Sequence, residues 1–157
     1  MNLSPIYNIA EICHQHGLSN VMLSPGSRCA PLVLAFTRHE QMNCKTVSDE
    51  RSAAFMALGI AQQSRKPSIL VCTSGSASLN YAPAVAEAFY QHIPLIICTA
   101  DRPPEWIDQL DGQTIRQENI YGAHVKKSYN IPVDLSHPDA QWHAYRIISE
   151  AINKSVA

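Results

Sequence analysis

Four short polar stretches hold the side chains best suited to chemistry. The first, Ser24-Pro25-Gly26-Ser27-Arg28, joins a glycine, a hydroxyl and a guanidinium. Gly26 permits backbone shapes that other residues resist, and Arg28 offers a planar fork of donors suited to a carboxylate. The same stretch also reads as a tight turn with Ser27 as a helix cap and Arg28 solvated. The second, Ser48-Asp49-Glu50-Arg51, sets two carboxylates before an alanine-rich run, where the helix dipole alone accounts for both acids. The third, Thr73-Ser74-Gly75-Ser76-Ala77-Ser78-Leu79-Asn80, is small enough to cradle a phosphate at a helix start. It lacks both the Gly-x-Gly-x-x-Gly spacing and the lysine of phosphate-binding loops, so a close-packed turn is expected, with Asn80 facing a ligand. The fourth runs from Ala100-Asp101-Arg102-Pro103-Pro104-Glu105 to Asp111-Gly112-Gln113-Thr114-Ile115-Arg116-Gln117. Its prolines stiffen the path, and Arg102, Gln113 and Arg116 supply donors.

Regular elements must position these stretches. Short apolar segments at 20–24, 44–48, 68–73 and 94–99 read as buried strands, the last two continuous and β-branched as in strands covered on both faces. Helical spans are expected at 4–16, 30–39 (opened by Pro31), 50–64, 78–91 and 138–153. Ala53, Met56, Ala57, Ile60 and Ala61 form the apolar stripe of the third span, and Trp142, Tyr145, Ile148 and Ile152 that of the last. Residues 101–123 break the alternation and read as an extended functional loop running into a short helix. The expected fold is α/β: a three-layer α/β/α arrangement around a mainly parallel sheet, in a single domain over 1–157. Ligands of such sheets bind beyond the carboxyl ends of the strands, and all four polar stretches fall there.

Composition narrows the function classes. A chain of 157 residues with 46 % hydrophobic residues has enough apolar material for one core. Twelve Lys and Arg against thirteen Asp and Glu, with no basic block, leave out the footprint of a nucleic-acid binder. No apolar run reaches the roughly 18–20 residues of a membrane span. The N-terminal MNLSPIYNIAEICHQHG lacks the basic start and long apolar centre of a signal peptide, so a soluble, cytoplasmic protein is expected. Charged residues make up only 16 %, below the usual value of about 25 %, which suggests a surface covered by something else. Cys13, Cys29, Cys44, Cys72 and Cys98 are scattered and odd in number, fitting neither a disulfide framework nor a zinc site. Cys72 and Cys98 sit in apolar runs as small hydrophobes, whereas Cys29, following a turn, is a candidate reactive thiol. The seven histidines show no ligand spacing, so no metal site is expected within the chain.

Taken together, these motifs resemble the N-terminal, pyrimidine-binding domain of thiamine-diphosphate enzymes. Within that family they resemble the branch that builds a succinylated cyclohexene carboxylate for menaquinone biosynthesis. The general likeness rests on Glu50 with its alanine-rich helix and on Thr73-Ser74-Gly75 through Asn80. The specific likeness rests on Ser24 to Arg28, on Asp49-Glu50-Arg51-Ser52-Ala53, and on the fourth stretch. Cys29 stands where serine is common in the family, and Gly112 where some members carry asparagine. The resemblance implies that Glu50 is the catalytic carboxylate that bonds the cofactor's aminopyrimidine ring and stabilises its protonated form. It implies that Asn80 lies near the cofactor and that Ser27, Arg28, Arg102 and Gln113 line the substrate side. The substrates would be 2-oxoglutarate, which loses carbon dioxide, and isochorismate, whose two carboxylates suit arginines.

The resemblance also implies parts that this chain does not carry. A Gly-Asp-Gly motif with a downstream Asn, which holds magnesium (or manganese) and the diphosphate in this family, is absent; Asp111-Gly112 follows Leu110 instead. The chain is therefore expected to be the first domain of a longer transferase, inactive alone and part of a homodimer or homotetramer. Two alternatives stay open: a non-catalytic binding or assembly module of the same fold, and an acetolactate-synthase-like domain with the same cofactor.

Overall fold

The computed structural model describes residues 4–157; the first three residues of the N-terminal segment read above lie outside the described residues. Four parallel strands, β1 (Asn20–Leu23), β2 (Asn43–Thr46), β3 (Ser68–Cys72) and β4 (Leu95–Thr99), form one sheet in the order β2-β1-β3-β4. The chain runs outward from β1 to β2 and then returns to the other side of β1 for β3. The strand order therefore reverses between β1 and β3, where doubly wound sheets open a crevice at their carboxyl edge.

Strand alternation feeds two cores. Val21, Leu23, Ile69, Val71 and Ile96 face a layer made by α1 (Ser4–Gln15), α2 (Ala30–Thr37) and α6 (Pro138–Val156). Met22, Leu70 and Cys72 face the opposite layer, made by α3 (Glu50–Ser64), α4 (Ser76–Leu79) and α5 (Ala82–Tyr90). The result is the three-layer α/β/α fold expected from the sequence.

Several expectations need correction. Only β3 is buried along its whole length; β2, expected as a buried strand, is an exposed edge carrying Lys45, and β4 is the half-covered edge opposite. An edge strand lacks a neighbour on one side, and a charge there discourages further pairing. The expected helix 78–91 is divided into α4 and α5. Pro83, near the start of α5, has no N–H to give the Leu79 carbonyl, so the helix cannot run through. On α3 the buried stripe is Ala53, Ala54, Ala57, Leu58 and Ala61, while Met56 is exposed and Ile60 half-buried. Alanines bring this helix close to Met22 and Leu70, and the larger Phe55 and Met56 turn outward. On α6, Trp142 is exposed and Tyr145 accepts a hydrogen bond from Asn8 Nδ2 at 2.8 Å, whereas Ala144, Ile147, Ile148 and Ile152 form the buried side.

The loop after β4 contains short helical turns at Pro104–Trp106 and Gly122–His124. It also holds Asp108, Leu110, Gln113 and Asn119, four of the six non-glycine residues with left-handed backbone among the described residues. All five cysteines are free thiols. Among the described residues no helix is long and apolar enough to cross a membrane.

Candidate active site

The sheet's hydrogen bonding continues one residue past its strands and carries the polar stretches with it. Ser24 N–H donates to Val71 O at 2.8 Å, Val47 N–H to Leu23 O at 2.9 Å and Ala100 N–H to Cys72 O at 3.0 Å. Ser24 Oγ donates to Val47 O at 3.0 Å, tying the first turn to the second. At the switch point the first and third turns touch: a Cβ on Gly26 would lie 2.5 Å from Thr73 Cβ. The third turn presses equally hard on the fourth. Gly75 adopts φ 83, ψ −145, open in practice only to glycine, and a Cβ there would lie 2.7 Å from Gln113 Cα. The small-residue stretch is thus the close-packed turn its composition suggests.

The start of α3 separates two roles that the sequence leaves merged. Asp49 is the N-cap, its Oδ1 accepting the Ser52 N–H at 2.7 Å, and hydrogen bonding from the Ser52 hydroxyl and then from its N–H holds the carboxyl below the usual range. Glu50, one residue on, is half-buried and makes no hydrogen bond or ion pair among the described residues. Its charge reaches the thiols at the ends of the first turn and β3. Burial pushes Cys72 up to about 12 and also raises Cys29, and in both cases the Glu50 carboxylate adds to the effect. A half-buried carboxylate with free lone pairs at the carboxyl edge of the sheet, its charge felt at Cys29 and Cys72, is suited to holding a proton on a bound partner.

The other expected residues surround this group unevenly. Ser27 and Arg28 are exposed on the first turn, and Arg28 makes no ion pair among the described residues. Neither Ser27 nor any other side chain caps α2; Cys29 takes the N-cap position, fully buried, with its thiol donating to Gly26 O at 3.3 Å. That buried, raised thiol is a structural residue, not the reactive one its place after a turn suggests. Asn80 is exposed at the end of α4, with Nδ2 donating to Ser76 O at 3.2 Å. Arg102 is half-buried and tied into its own loop, with one nitrogen 2.9 Å from Asp111 Oδ2 and 3.0 Å from Gly112 O. Gln113 is exposed, on left-handed backbone. Arg116 is not part of the group: it is exposed and pairs with Asp108.

Two features were not singled out by sequence reasoning. Gln117 is buried and joins the third turn to the end of β4. Tyr81, at the break between α4 and α5, is fully buried beside Cys72 and Ser24, and its hydroxyl reaches hydrogen-bonding geometry with neither. The cue for Tyr81 is an aromatic two residues before a helix-breaking proline, and Gln117 offered no cue beyond its membership of a polar stretch.

The polar demand of the edge fits an organic cofactor. Five buried side-chain polar atoms lack a partner among the described residues, and four of them lie here: Thr73 Oγ1, Ser74 Oγ, Tyr81 OH and Arg102 Nε. Native proteins leave few buried polar groups unpaired, so the concentration marks a place for a polar ligand. At this edge the chain offers hydroxyls, amides and arginines as donors and the Glu50 carboxylate as an acceptor, a set suited to a heteroaromatic ring and to carboxylates. Among the described residues no three His, Cys, Asp or Glu side chains gather as a metal-ligand set.

A doubly wound α/β domain with a free carboxylate and small-residue turns at its carboxyl edge belongs to the class that binds an organic cofactor at the switch point. Residues 7–121 match the family described as thiamine pyrophosphate enzyme, N-terminal TPP binding domain, and the chain belongs to that family. It is 57 % identical over 155 residues to the 2-succinyl-5-enolpyruvyl-6-hydroxy-3-cyclohexene-1-carboxylate synthase of Cytophaga hutchinsonii, covering 99 % of this chain and 28 % of the relative. Synthases of the same name match from Flavobacterium johnsoniae (56 % over 129 residues; 82 % of this chain, 23 % of the relative) and Phocaeicola vulgatus (46 % over 147 residues; 94 % and 26 %). The chain thus spans about a quarter of the length of the curated relatives it matches.

Proposed function

We propose that this chain is the pyrimidine-binding domain of a thiamine-diphosphate-dependent transferase. The enzyme would release carbon dioxide from 2-oxoglutarate and add the remaining succinyl unit to isochorismate, a step toward menaquinone. The observation that carries the reading is the division of labour at α3, where Asp49 caps the helix and leaves the Glu50 carboxylate free. The names of the matched synthases supply the substrate class.

Thiamine diphosphate, when bound, supplies the electron-accepting centre that decarboxylation of a 2-oxo acid requires. Glu50 would accept a hydrogen bond from the pyrimidine ring of the bound cofactor, its charge favouring the protonated ring. Asn80 and the hydroxyls of Thr73 and Ser74, which lack partners within the chain, would hold the cofactor's polar groups. Ser27, Arg28, Arg102 and Gln113 bind and orient the carboxylates of the substrates. Asp111 fixes Arg102 in advance through the 2.9 Å ion pair, leaving other guanidinium N–H groups for a substrate oxygen. Magnesium or manganese, with the diphosphate, is assigned to a domain outside this chain, consistent with the greater length of the relatives. Exposed Phe55, Met56 and Leu79 on the outer layer support assembly as a homodimer or homotetramer, and the same reading assigns the enzyme to the cytoplasm.

The deciding experiment is Glu50→Gln in the full-length protein, read by hydrogen–deuterium exchange at the cofactor C2 and by thermal melting. C2 exchange should fall by orders of magnitude with an almost unchanged melting temperature, because Gln keeps the shape and loses the charge. Normal exchange in the variant would reduce Glu50 to a residue of the helix start and remove the carboxylate from the mechanism.

A further inference from the structure

Gln117 lies four positions beyond Gln113 and is 7 % exposed. Its amide is engaged on both sides: Oε1 accepts from Gly75 N–H at 2.7 Å, and Nε2 donates to Ala100 O at 2.9 Å and Thr99 Oγ1 at 3.4 Å. Only one orientation of the amide works, since the Ala100 carbonyl needs a donor and the Gly75 N–H an acceptor. The backbone of Gln113 presses on the same glycine, with its Cα, C and O 2.7 to 2.9 Å from where a Gly75 Cβ would sit. Gly75 is therefore held between two grips from the stretch 113–117. One grip is the backbone of a residue at φ 58, a conformation that persists only where the surroundings enforce it.

We infer that Gln117 is a positioning residue for the acceptor substrate. It locks the turn leading to Asn80 against the loop carrying Gln113, and so fixes where the Gln113 side chain meets the acceptor carboxylates. The inference rests on the substrate-side role proposed above for Gln113, while the clamp itself stands on the hydrogen bonds. An amide that served the core alone would change stability when altered, without selecting one substrate or acting through Gln113.

The test uses Gln117→Glu, nearly identical in shape. Ionised, its second oxygen faces the Ala100 carbonyl without a proton; protonated, it restores the donor. In the full-length enzyme the KM for isochorismate should rise about tenfold at pH 8, as for one lost buried hydrogen bond, and recover toward wild type as the pH is lowered to about 6. Changes in kcat and in the thiamine diphosphate Kd by fluorescence titration should stay within about twofold, and wild type should lack the trend. In a Gln113→Ala background the same substitution should add less than about twofold, because its route is already removed. Independently of activity, amide exchange at Gly75 in this chain should speed up about tenfold in Gln117→Leu, which keeps the bulk and removes the oxygen that accepts from the Gly75 N–H. Should Gln117→Glu not fold, Gln117→Asn, shorter by one methylene, should raise the KM with no pH trend.

Unchanged Gly75 exchange would overturn the clamp, and independent effects at 113 and 117 would overturn the positioning role. Absence of turnover in the wild-type enzyme would instead overturn the proposed reaction, and with it the acceptor role, while faster Gly75 exchange would still establish the clamp.

Discussion

Adding one carbon at Gly75 should be among the most damaging small changes available to this domain. At φ 83, ψ −145 an alanine carries backbone strain of about 1–3 kcal/mol. Its Cβ would also stand 2.7 Å from Gln113 Cα and 2.9 Å from that residue's carbonyl carbon and oxygen, so main chain has to move, adding about 1–3 kcal/mol. The sum, about 2–6 kcal/mol, is a large part of the roughly 5–15 kcal/mol that holds a domain folded. At about 2–4 °C per kcal/mol for a chain of this size, the melting temperature should fall by about 4–24 °C. Circular dichroism with heat and urea is a sufficient assay, with two comparisons built in. Gly59→Ala, in the middle of α3 with nothing within 4 Å, should stabilise by about 0.5–1 kcal/mol. Gly26→Ala meets the Thr73 side chain, so Thr73→Gly in the same chain should restore part of the loss. No substitution at 113 should rescue Gly75→Ala, because the obstacle there is backbone. A Gly75→Ala protein melting within about 2 °C of wild type would refute this account of how the turns pack.

In the full-length enzyme, Arg28→Ala and Arg102→Ala should each raise the KM for isochorismate roughly ten- to a hundredfold, the effect of losing a charge-assisted contact of about 1.5–3 kcal/mol. Equal effects on 2-oxoglutarate would point to a structural role in the turns. Glu150 predicts a pH effect far from the site. Hydrogen bonds from Lys127 and Tyr129 lower its carboxyl from 4.5 to about 2, so the unfolded chain binds the proton more readily between those values. Its contribution to stability is complete above about pH 4.5 and is lost as the pH falls through about 2. Melting curves across that window should be flatter for Glu150→Gln than for wild type, and parallel curves would contradict the assignment.

Much of the framework was legible from local pattern. The run SILVC has no choice but a buried strand, and the span 50–64 is bounded by a capping aspartate and a left-handed Arg65, so α3 is observed as read. Departures arise where tertiary context decides. NCKT becomes an exposed edge because its place in the strand order leaves one side unpaired. Met56 faces outward because Ala53, Ala54 and Ala57 take the positions of α3 that meet Met22 and Leu70. Even the α4–α5 break was signalled by Pro83, but the apolar stripe on either side masked it. The polar stretches do fall at the carboxyl edge of the sheet, but composition does not apportion roles among them. Asp49 and Glu50 are equivalent as acids at a helix start, and only the bond to Ser52 shows which one is occupied. Gln117 reads as solvated loop, and its burial depends on a glycine forty-two positions earlier in the chain.

The contacts at Gly26 and Gly75 also bear on how this edge could be altered. At Gly75 the neighbour is the Gln113 backbone, so no side chain remains between those two turns to be enlarged, trimmed or exchanged. There the floor of the crevice is closed to ordinary substitution, while at Gly26 it yields only together with Thr73, so diversity has to come from the rim. Arg28, Asn80 and Gln113 are exposed there, and each can be replaced without disturbing that packing. Libraries aimed at a different acceptor should be confined to those rim positions, with the glycines held constant.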